Sequence, residues 1–488
     1  MAVAPAPGSL RRVPAGAWAV AVVVVLSLLV LAPRYGFHRD ELYFIAAGRR
    51  LAWGYPDQPP LTPLIARLAD GLPGDITPLA VRLIPALAVG TLALIAASLA
   101  DRFGGSKGAA VLAAAATAGA GIFLAAGHLL ATATIEALLA CLVIAVVARL
   151  IEGASPRWWL LVGVLTGLGL LNKHTMAAIV GALVIGILVS PARRILLNPW
   201  PWVGGGIALV MWLPNLLWQA SNGWPQLEMA RVLSDRSDGP AAYLAFQFVG
   251  LSLLLAIPAV AGFRRLWRLD QGRWRAFPVA FVVLLVTFLV VGGKFYYVAP
   301  LYVPLLAAGA VWASELAARP RRLLIGASGA AILAFGLVAL PVVPVTSVQP
   351  LNEVNGELGE TVGWPELVAE VEAAVALLDP QQRTAAVIFT ANYGQAGALE
   401  VLGGPSLPEV SSGHNGYGDW GPPSGTGPII GVGPVSGELA LVCPDVEQVG
   451  TVDNGYGVAN MEQGAPILLC ADPVAGLDTV WAEVLHLD

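Results

Sequence analysis

Long apolar runs constrain this chain more than any other feature of its sequence. A helix that spans a bilayer needs about 20 mostly apolar residues, and eleven runs approach that length. They cover residues 15–32, 77–100, 108–126, 133–147, 158–171, 176–189, 202–218, 241–263, 277–291, 297–317 and 323–343. The pattern predicts an α-helical polytopic membrane protein of about eleven spans, with the count open by about two because four of the runs are short.

The composition excludes a protein that is soluble throughout. Of the 488 residues, 57% are hydrophobic and only 12% are charged, whereas soluble chains carry about 25% charged residues. No basic stripe with interleaved aromatic residues is present, which argues against nucleic acid as a partner.

The charged residues are divided unevenly along the chain. Residues 1–342 carry a net charge of +13, whereas residues 343–488 contain 19 acidic residues against the single basic Arg383 and carry −18. Basic residues favour cytoplasmic loops. If the N-terminus is inside, the inside segments hold 16 of the 27 Lys and Arg residues, starting with Arg11 and Arg12. We therefore expect a multi-pass cell-membrane protein with a cytoplasmic N-terminus and an extracytoplasmic acidic tail.

Two domains follow from this division. Residues 1–343 form a multi-span domain whose first outer loop is 33–76, and residues 344–488 form a small acidic α/β domain. In the tail, helices are expected at 364–378 and 394–402, and strands at 385–389, 429–432, 440–442 and 466–469. Cys443 and Cys470 lie in this exported part, where a disulfide is chemically compatible, but their spacing does not decide whether they are bonded.

The first outer loop concentrates ionisable groups. Its segments 41–51 and 61–72 are amphipathic and are expected to lie as helices in the membrane interface. The loop contains His38, Arg39, Asp40, Glu41 and Asp57. Further ionisable residues lie near the outer ends of apolar runs, where they are functional candidates because charge is costly in the bilayer; they are Glu136, Lys173, His174 and Lys294.

Each of these residues has a structural alternative. The pair Asp40-Glu41 could supply a general base or cap a helix N-terminus. Lys173 and Lys294 could bind a phosphate or extend to the interface. The histidines, including His128, could bind a sugar, a phosphate or a cation, although no spacing requires a metal. The aromatic residues, Tyr297 among them, suit sugar stacking or an interfacial aromatic belt.

The order of several motifs resembles a known family. Asp40-Glu41 after the first run, followed by Gly54-Tyr55-Pro56-Asp57-Gln58-Pro59-Pro60-Leu61, is similar to the bacterial glycosyltransferase 39 group of the C-type membrane glycosyltransferases. That group includes protein mannosyltransferases that use dolichyl-phosphate mannose and the aminoarabinose transferase of lipid A. Segments 127–136, 169–175 and 292–297 also resemble bacterial members, so that the similarity extends over most of the chain. Many relatives have Asp at the position of Glu136.

The resemblance implies an inverting glycosyltransferase at the outer membrane face. A sugar would move from a polyprenyl-monophosphate donor to a hydroxyl of a protein, lipid or glycan acceptor. Asp40 would be the general base. Glu41 and Asp57 would orient it, bind sugar hydroxyls or hold a cation, and Glu136 would be a supporting acid of the catalytic group or a ligand of the acceptor. The other substrate-binding residues would be Arg39, His128, Lys173, His174, Lys294 and Tyr297. No cofactor is required by this chemistry, and a divalent cation stays open.

Two other classes of function compete with this interpretation. One is a transporter or flippase of lipid-linked sugar, and the other is a non-catalytic envelope assembly protein. Transporters often contain repeated halves with charges at the midplane. In this chain the charges gather at one face and no long repeat is evident, which favours the enzyme.

Overall fold

The structure is a computed structural model that describes residues 13–237 and 239–487. Arg11 and Arg12, which begin the predicted inside set, lie outside these residues. Sixteen α-helices precede the tail within the described ranges. They are α1 (Ala15–Leu31), α2 (Arg39–Arg49), α3 (Leu61–Asp70), α4 (Pro78–Arg102), α5 (Lys107–Ala118), α6 (Gly121–His128), α7 (Thr132–Ile151), α8 (Trp158–Leu170), α9 (Thr175–Leu188), α10 (Trp200–Ser221), α11 (Pro225–Asp235), α12 (Gly239–Gly250), α13 (Ala256–Arg268), α14 (Ala276–Val290), α15 (Tyr302–Glu315) and α16 (Ala318–Ala339).

Every predicted apolar run is helical over most of its length, and the membrane class is confirmed. The run at 241–263 is divided between α12 and α13 by turns at residues 251–255. Five helices of the described chain are long and apolar enough to cross a membrane: α4, α7, α10, α16 and the segment Phe295–Glu315, which joins a 3₁₀ turn to α15. The bent pair α5 and α6, at 60° to each other, adds a sixth if it forms one span. The helices α1, α8, α9 and α14 are apolar but shorter, so the count of eleven spans stays a prediction.

Close helix packing holds the multi-span part together. A Cβ added at Gly262 of α13 would lie 1.9 Å from the Leu305 carbonyl oxygen of α15, and one added at Gly309 would lie 2.0 Å from the Pro258 carbonyl oxygen. The two backbones are therefore in direct contact at these glycines. Such close approach supplies the van der Waals packing on which helix association in a bilayer depends.

The tail is an α/β domain, as predicted. Its helices are α17 (Gln349–Asn352), α18 (Trp364–Ala376), α19 (Pro380–Ala385), α20 (Tyr393–Leu402), α21 (Asn415–Asp419), α22 (Ser436–Leu439) and α23 (Trp481–Val484). Its strands are β1 (Val387–Thr390), β2 (Glu409–Ser412), β3 (Ile429–Val432), β4 (Glu447–Thr451) and β5 (Pro466–Cys470), in the sheet order β2-β1-β3-β5-β4. Strand β1 pairs in parallel with β2 and β3, whereas β5 is antiparallel to β3 and β4.

Two details of the tail differ from the prediction, and a third answers a question that the sequence left open. The strand predicted at 440–442 is wrong: these residues form turns after α22, where Val442 is buried in an apolar cluster. A short buried apolar run has the same composition in a turn as in a strand. The strands β2 and β4 were not predicted, because both are edge strands with polar residues. Cys443 and Cys470 are bonded, with their Cα atoms 6.1 Å apart.

The tail packs directly on the first loop. Helix α2 forms where an interfacial helix was expected, but its residues from Glu41 to Gly48 are buried because α20 covers it. A Cβ added at Gly397 of α20 would lie only 2.9 Å from the Leu42 carbonyl carbon. By contrast, α3 exposes Leu64 and Leu68, as expected for a helix at a membrane surface.

Candidate active site

The start of α2 places Asp40 and Glu41 in different surroundings. His38 is the N-cap residue: its Nδ1 accepts a hydrogen bond from the Asp40 N–H at 3.2 Å, and its own N–H donates to Glu41 Oε2 at 2.9 Å. This is a capping box, which satisfies the free N–H groups of the first turn. The capping alternative is therefore realised, but by Glu41 and not by Asp40.

Glu41 is the centre of a buried ionic network. The side chains of Glu41 and Arg82 are 0% and 1% exposed, and Arg82 Nη2 lies 2.7 Å from Glu41 Oε2. Arg82 Nε donates to Glu41 Oε1 at 2.9 Å, and the Leu130 N–H donates to the same oxygen at 3.0 Å. His128 joins the cluster, with Nε2 3.3 Å from Arg82 Nη1. These contacts tie α2 to α4, to the end of α6 and to the link between α6 and α7, so Glu41 and His128 serve to hold these segments together.

Asp40 is accessible. Its side chain is 38% exposed, and Oδ1 lies 3.8 Å from Arg39 Nε. The phenol of Tyr393, the first residue of α20, donates a hydrogen bond to the same oxygen at 2.9 Å. The Arg39 guanidinium lies 5.4 Å from the Tyr393 ring centroid and 3.8 Å from Glu360 Oε2. Both Arg39 and Asp40 therefore connect the first loop with the tail.

Asp57 lies beside this group. The Tyr43 phenol donates to Asp57 Oδ1 at 2.7 Å and accepts a hydrogen bond from the Gly416 N–H at 3.1 Å. Burial raises the pKa of Asp57 to about 7, and the charge of Asp40 adds to the rise. The rings of Tyr43 and Tyr393 lie 4.9 Å apart. Asp57 thus accepts a hydrogen bond from Tyr43, Asp40 accepts one from Tyr393, and the two tyrosine rings lie side by side.

A second polar group surrounds Lys173. Its Nζ lies 5.1 Å from the Tyr296 ring centroid and 4.6 Å from that of Tyr297, which are cation–π distances. Glu136, near the N-terminal end of α7, accepts a hydrogen bond from Thr175 Oγ1 at 2.5 Å and interacts with the charge of Lys173.

His174 and Lys294 have separate surroundings. His174 Nε2 lies 2.8 Å from Asn215 Oδ1, while Asn215 Nδ2 donates to the Trp53 carbonyl at 2.8 Å, so this pair joins α10 to the first loop. Lys294 lines a cavity of about 230 Å³ together with Ser234 and Tyr243. Within the described ranges the Lys294 ammonium group forms no hydrogen bond or ion pair.

The structure also adds residues that the sequence did not mark. Arg82 interrupts an apolar run, and that interruption was a usable signal. Tyr43 and Tyr393 had no such signal, because their roles depend on contacts with distant segments. Across residues 13–237 and 239–487, no three His, Cys, Asp or Glu side chains converge as a metal site.

Comparisons with known proteins agree with this architecture. Residues 57–218 match the family model described as dolichyl-phosphate-mannose-protein mannosyltransferase. ArnT from Cupriavidus metallidurans in the apo state is similar over 93% of this chain and 98% of its own, with a TM-score of 0.63 and 16% identity. The same protein bound to undecaprenyl phosphate covers 95% of this chain and 100% of its own, with a TM-score of 0.62 and 17% identity. A comparison with curated protein sequences finds no match.

The chain is a glycosyltransferase of the C-type fold, similar to family 39. The resemblance found in the sequence is thereby confirmed at the level of fold and enzyme class. In this glycosyltransferase the matched segment contains Asp57, Glu136, Lys173 and His174, and it begins after Asp40. The groups described above include the accessible carboxylate of Asp40, the carboxyl group of Asp57 with a pKa of about 7, and the ammonium group of Lys173, which are suited to proton transfer and phosphate binding.

Proposed function

We propose that this glycosyltransferase moves a sugar from a polyprenyl monophosphate to an acceptor hydroxyl at the outer membrane face, with Asp40 as general base. The observation that carries the proposal is the contrast between Asp40 and Glu41. Asp40 is 38% exposed, whereas every neighbour of Glu41 fixes it inside the protein. The binding of undecaprenyl phosphate by the similar ArnT supports the lipid part of the donor.

The transfer requires one proton acceptor and one stabilised leaving group. The acceptor oxygen attacks the anomeric carbon as its proton passes to the Asp40 carboxylate. The bond between that carbon and the phosphate oxygen breaks, and the lipid phosphate leaves with the electron pair. Attack from the face opposite the phosphate inverts the anomeric centre.

Positive charge near the leaving group favours the developing phosphate charge. Lys173 is one candidate, because its ammonium group lies over the rings of Tyr296 and Tyr297 and interacts with the charge of Glu136. Lys294 is a second candidate, because its ammonium group has no ion-pair partner in the described chain and lines a cavity. Arg39, beside Asp40, is a third.

The remaining residues divide into binding and supporting roles. Asp57, protonated for part of the time near neutral pH because burial raises its pKa to about 7, can donate as well as accept hydrogen bonds with sugar hydroxyls. Tyr297 presents a ring to Lys173. Glu41, His128 and His174 hold the first loop on the helices, and Glu136 holds Lys173.

The Asp40→Asn variant tests the base assignment. Purified protein in lipid vesicles would receive undecaprenyl-phosphate [¹⁴C]mannose and an envelope extract as a mixture of acceptors. General-base catalysis contributes about 10²- to 10⁴-fold, so the variant should lose at least about a hundredfold in transfer rate. The matched control is Asp472→Asn, at an exposed aspartate of the tail, which should retain the wild-type rate.

Two outcomes would contradict the proposal. Transfer by Asp40→Asn at the wild-type rate would remove Asp40 from the chemistry. Wild-type protein that moves the labelled lipid between leaflets without transferring mannose, or any sugar from other polyprenyl-phosphate donors, would favour a flippase.

A further inference from the structure

We infer that the tail completes the catalytic site and that Tyr393 is a positioning residue for Asp40. This inference rests on the proposed function of Asp40. It gives a residue of the α/β tail a role in the transfer reaction: Tyr393 positions the base, which itself belongs to the multi-span domain.

The contact between the two residues is specific. The Tyr393 phenol oxygen lies 2.9 Å from Asp40 Oδ1, while the Tyr393 ring is held between Tyr43 at 4.9 Å and His414 at 4.7 Å. Burial raises the pKa of the Tyr393 phenol well above its ordinary value. The phenol therefore remains a hydrogen-bond donor at any pH at which the enzyme works.

The tail holds this phenol rigidly. Asn392 caps α20 by accepting a hydrogen bond from the Gln395 N–H at 3.0 Å. Buried Glu462 in turn accepts hydrogen bonds from Asn392 Nδ2 at 3.2 Å and from Gln395 Nε2 at 2.5 Å. Tyr393 follows Asn392 directly, so this network sets its position.

The geometry explains what the contact does for the reaction. Asp40 is a partly exposed side chain in the first turn of a helix, and without a partner it would populate several rotamers. One donor on Oδ1 selects one rotamer and leaves Oδ2 for the acceptor proton. Correct alignment of a catalytic group accounts for large factors in rate, so the contact should affect turnover more than substrate affinity.

The test is the Tyr393→Phe variant, which keeps the ring and removes only the hydroxyl. We expect kcat to fall about tenfold with the KM for the undecaprenyl-phosphate mannose donor and the Tm unchanged. Tyr456→Phe is the control, at a tyrosine that is 40% exposed in the same domain, and it should leave kcat unchanged.

The results separate this inference from the proposed function. If Asp40→Asn is inactive and Tyr393→Phe keeps the wild-type kcat, the positioning role is wrong and the base assignment stands. If Tyr393→Phe lowers Tm or raises KM in proportion to the lost activity, the residue is only structural and the inference is also overturned. If Asp40→Asn is active, the base assignment is wrong, and the positioning role of Tyr393 is wrong with it.

A groove along α13 carries a second, independent inference. We propose that it binds an anionic phospholipid. The groove has a volume of about 960 Å³, and its apolar wall comprises Phe248, Leu253, Ile257, Val260 and Trp312. Three arginines of α13, Arg264, Arg265 and Arg268, lie at its rim with Asp270 as the carboxylate in the lining.

Charge complementarity identifies the occupant. Arg265 is paired with Glu315 at 2.8 Å, whereas Arg264 and Arg268 are exposed and have no hydrogen-bond or ion-pair partner among the described residues. Basic pockets between membrane helices bind anionic lipid headgroups. A phosphodiester headgroup fits the arginine rim, and an acyl chain fits the apolar wall.

Lipid retention measures this site. Enzyme purified from vesicles of equal phosphatidylglycerol and phosphatidylcholine would be analysed for bound lipid by native mass spectrometry. Wild-type protein should retain phosphatidylglycerol preferentially, and Arg264→Gln with Arg268→Gln should lose most of that preference. The control pair Arg319→Gln with Arg322→Gln, at exposed arginines of α16, should retain it. Equal retention of the two lipids by wild type, or no change in the α13 variant, would overturn the proposal.

Discussion

The two adjacent carboxylates at the start of α2 differ in role because their surroundings differ. Glu41 receives hydrogen bonds from Arg82 and from the backbone, and it is shielded from solvent. Asp40 faces the junction with the tail and keeps one oxygen available. A buried ion pair orders a structure but need not stabilise it, whereas removing one partner leaves an uncompensated charge.

Arg82→Met should therefore destabilise the protein strongly. The substitution leaves the buried Glu41 carboxylate without its cation, and such a loss costs about 3–5 kcal/mol. Thermal unfolding in detergent would measure it as a large drop in Tm. The double variant Arg82→Met with Glu41→Leu removes both charges and should recover much of the lost stability. Equal Tm values for the single variant and wild type would show that an unpaired Glu41 carboxylate does not destabilise the protein.

The stability of the enzyme should depend on pH through Asp57. Its pKa rises from 3.8 to about 7 because it is buried, so between these values the folded state keeps a proton that the unfolded state loses. Stability attributable to Asp57 therefore falls as the pH rises from about 4 to about 7. Asp57→Asn lacks this dependence.

The difference in Tm between wild type and Asp57→Asn is the measurement. As the pH rises from 5 to 8, the Tm of wild type should fall relative to the Tm of Asp57→Asn. A constant difference over this range would show that Asp57 does not titrate there.

At the scale of elements, the contact between α2 and α20 determines how the tail sits on the membrane part. Gly397→Val should disrupt it, because a Cβ at this position already approaches the Leu42 carbonyl carbon to 2.9 Å. We expect faster proteolysis of the tail and reduced transfer. Gly437→Val is the control, since a Cβ at Gly437 meets nothing within 4 Å; similar proteolysis of the two variants would contradict a tight α2–α20 contact.

Local patterns predicted the elements better than the site. Apolar length predicted the membrane helices, and amphipathic spacing predicted α2 and α3, because both signals lie within the segments themselves. The different roles of Asp40 and Glu41 depend on the side from which Arg82 and Tyr393 approach, and that information lies in distant segments. For the same reason the sequence predicted a helix at 394–402 without indicating that its first turn would contact Asp40.

At the scale of the whole molecule, the charge asymmetry predicts orientation. The acidic tail should be outside and the basic loops inside. A cysteine introduced at Gly437 should react with a membrane-impermeant maleimide in intact cells, and one introduced at Arg321 should react only after permeabilisation. Native Cys141 is buried and serves as the background in the unmodified protein. Labelling of Arg321→Cys in intact cells would contradict the predicted orientation.

The separation of Asp40 and Tyr393 along the chain has a consequence for biosynthesis. The two residues are 353 positions apart, so the carboxylate enters the membrane long before its partner is synthesised. On the predicted topology the tail is exported, and its sheet and the bond between Cys443 and Cys470 form in the outer compartment, where α20 docks on α2. That topology predicts that newly inserted enzyme stays immature until export is complete and gains full activity only in the compartment where the tail folds.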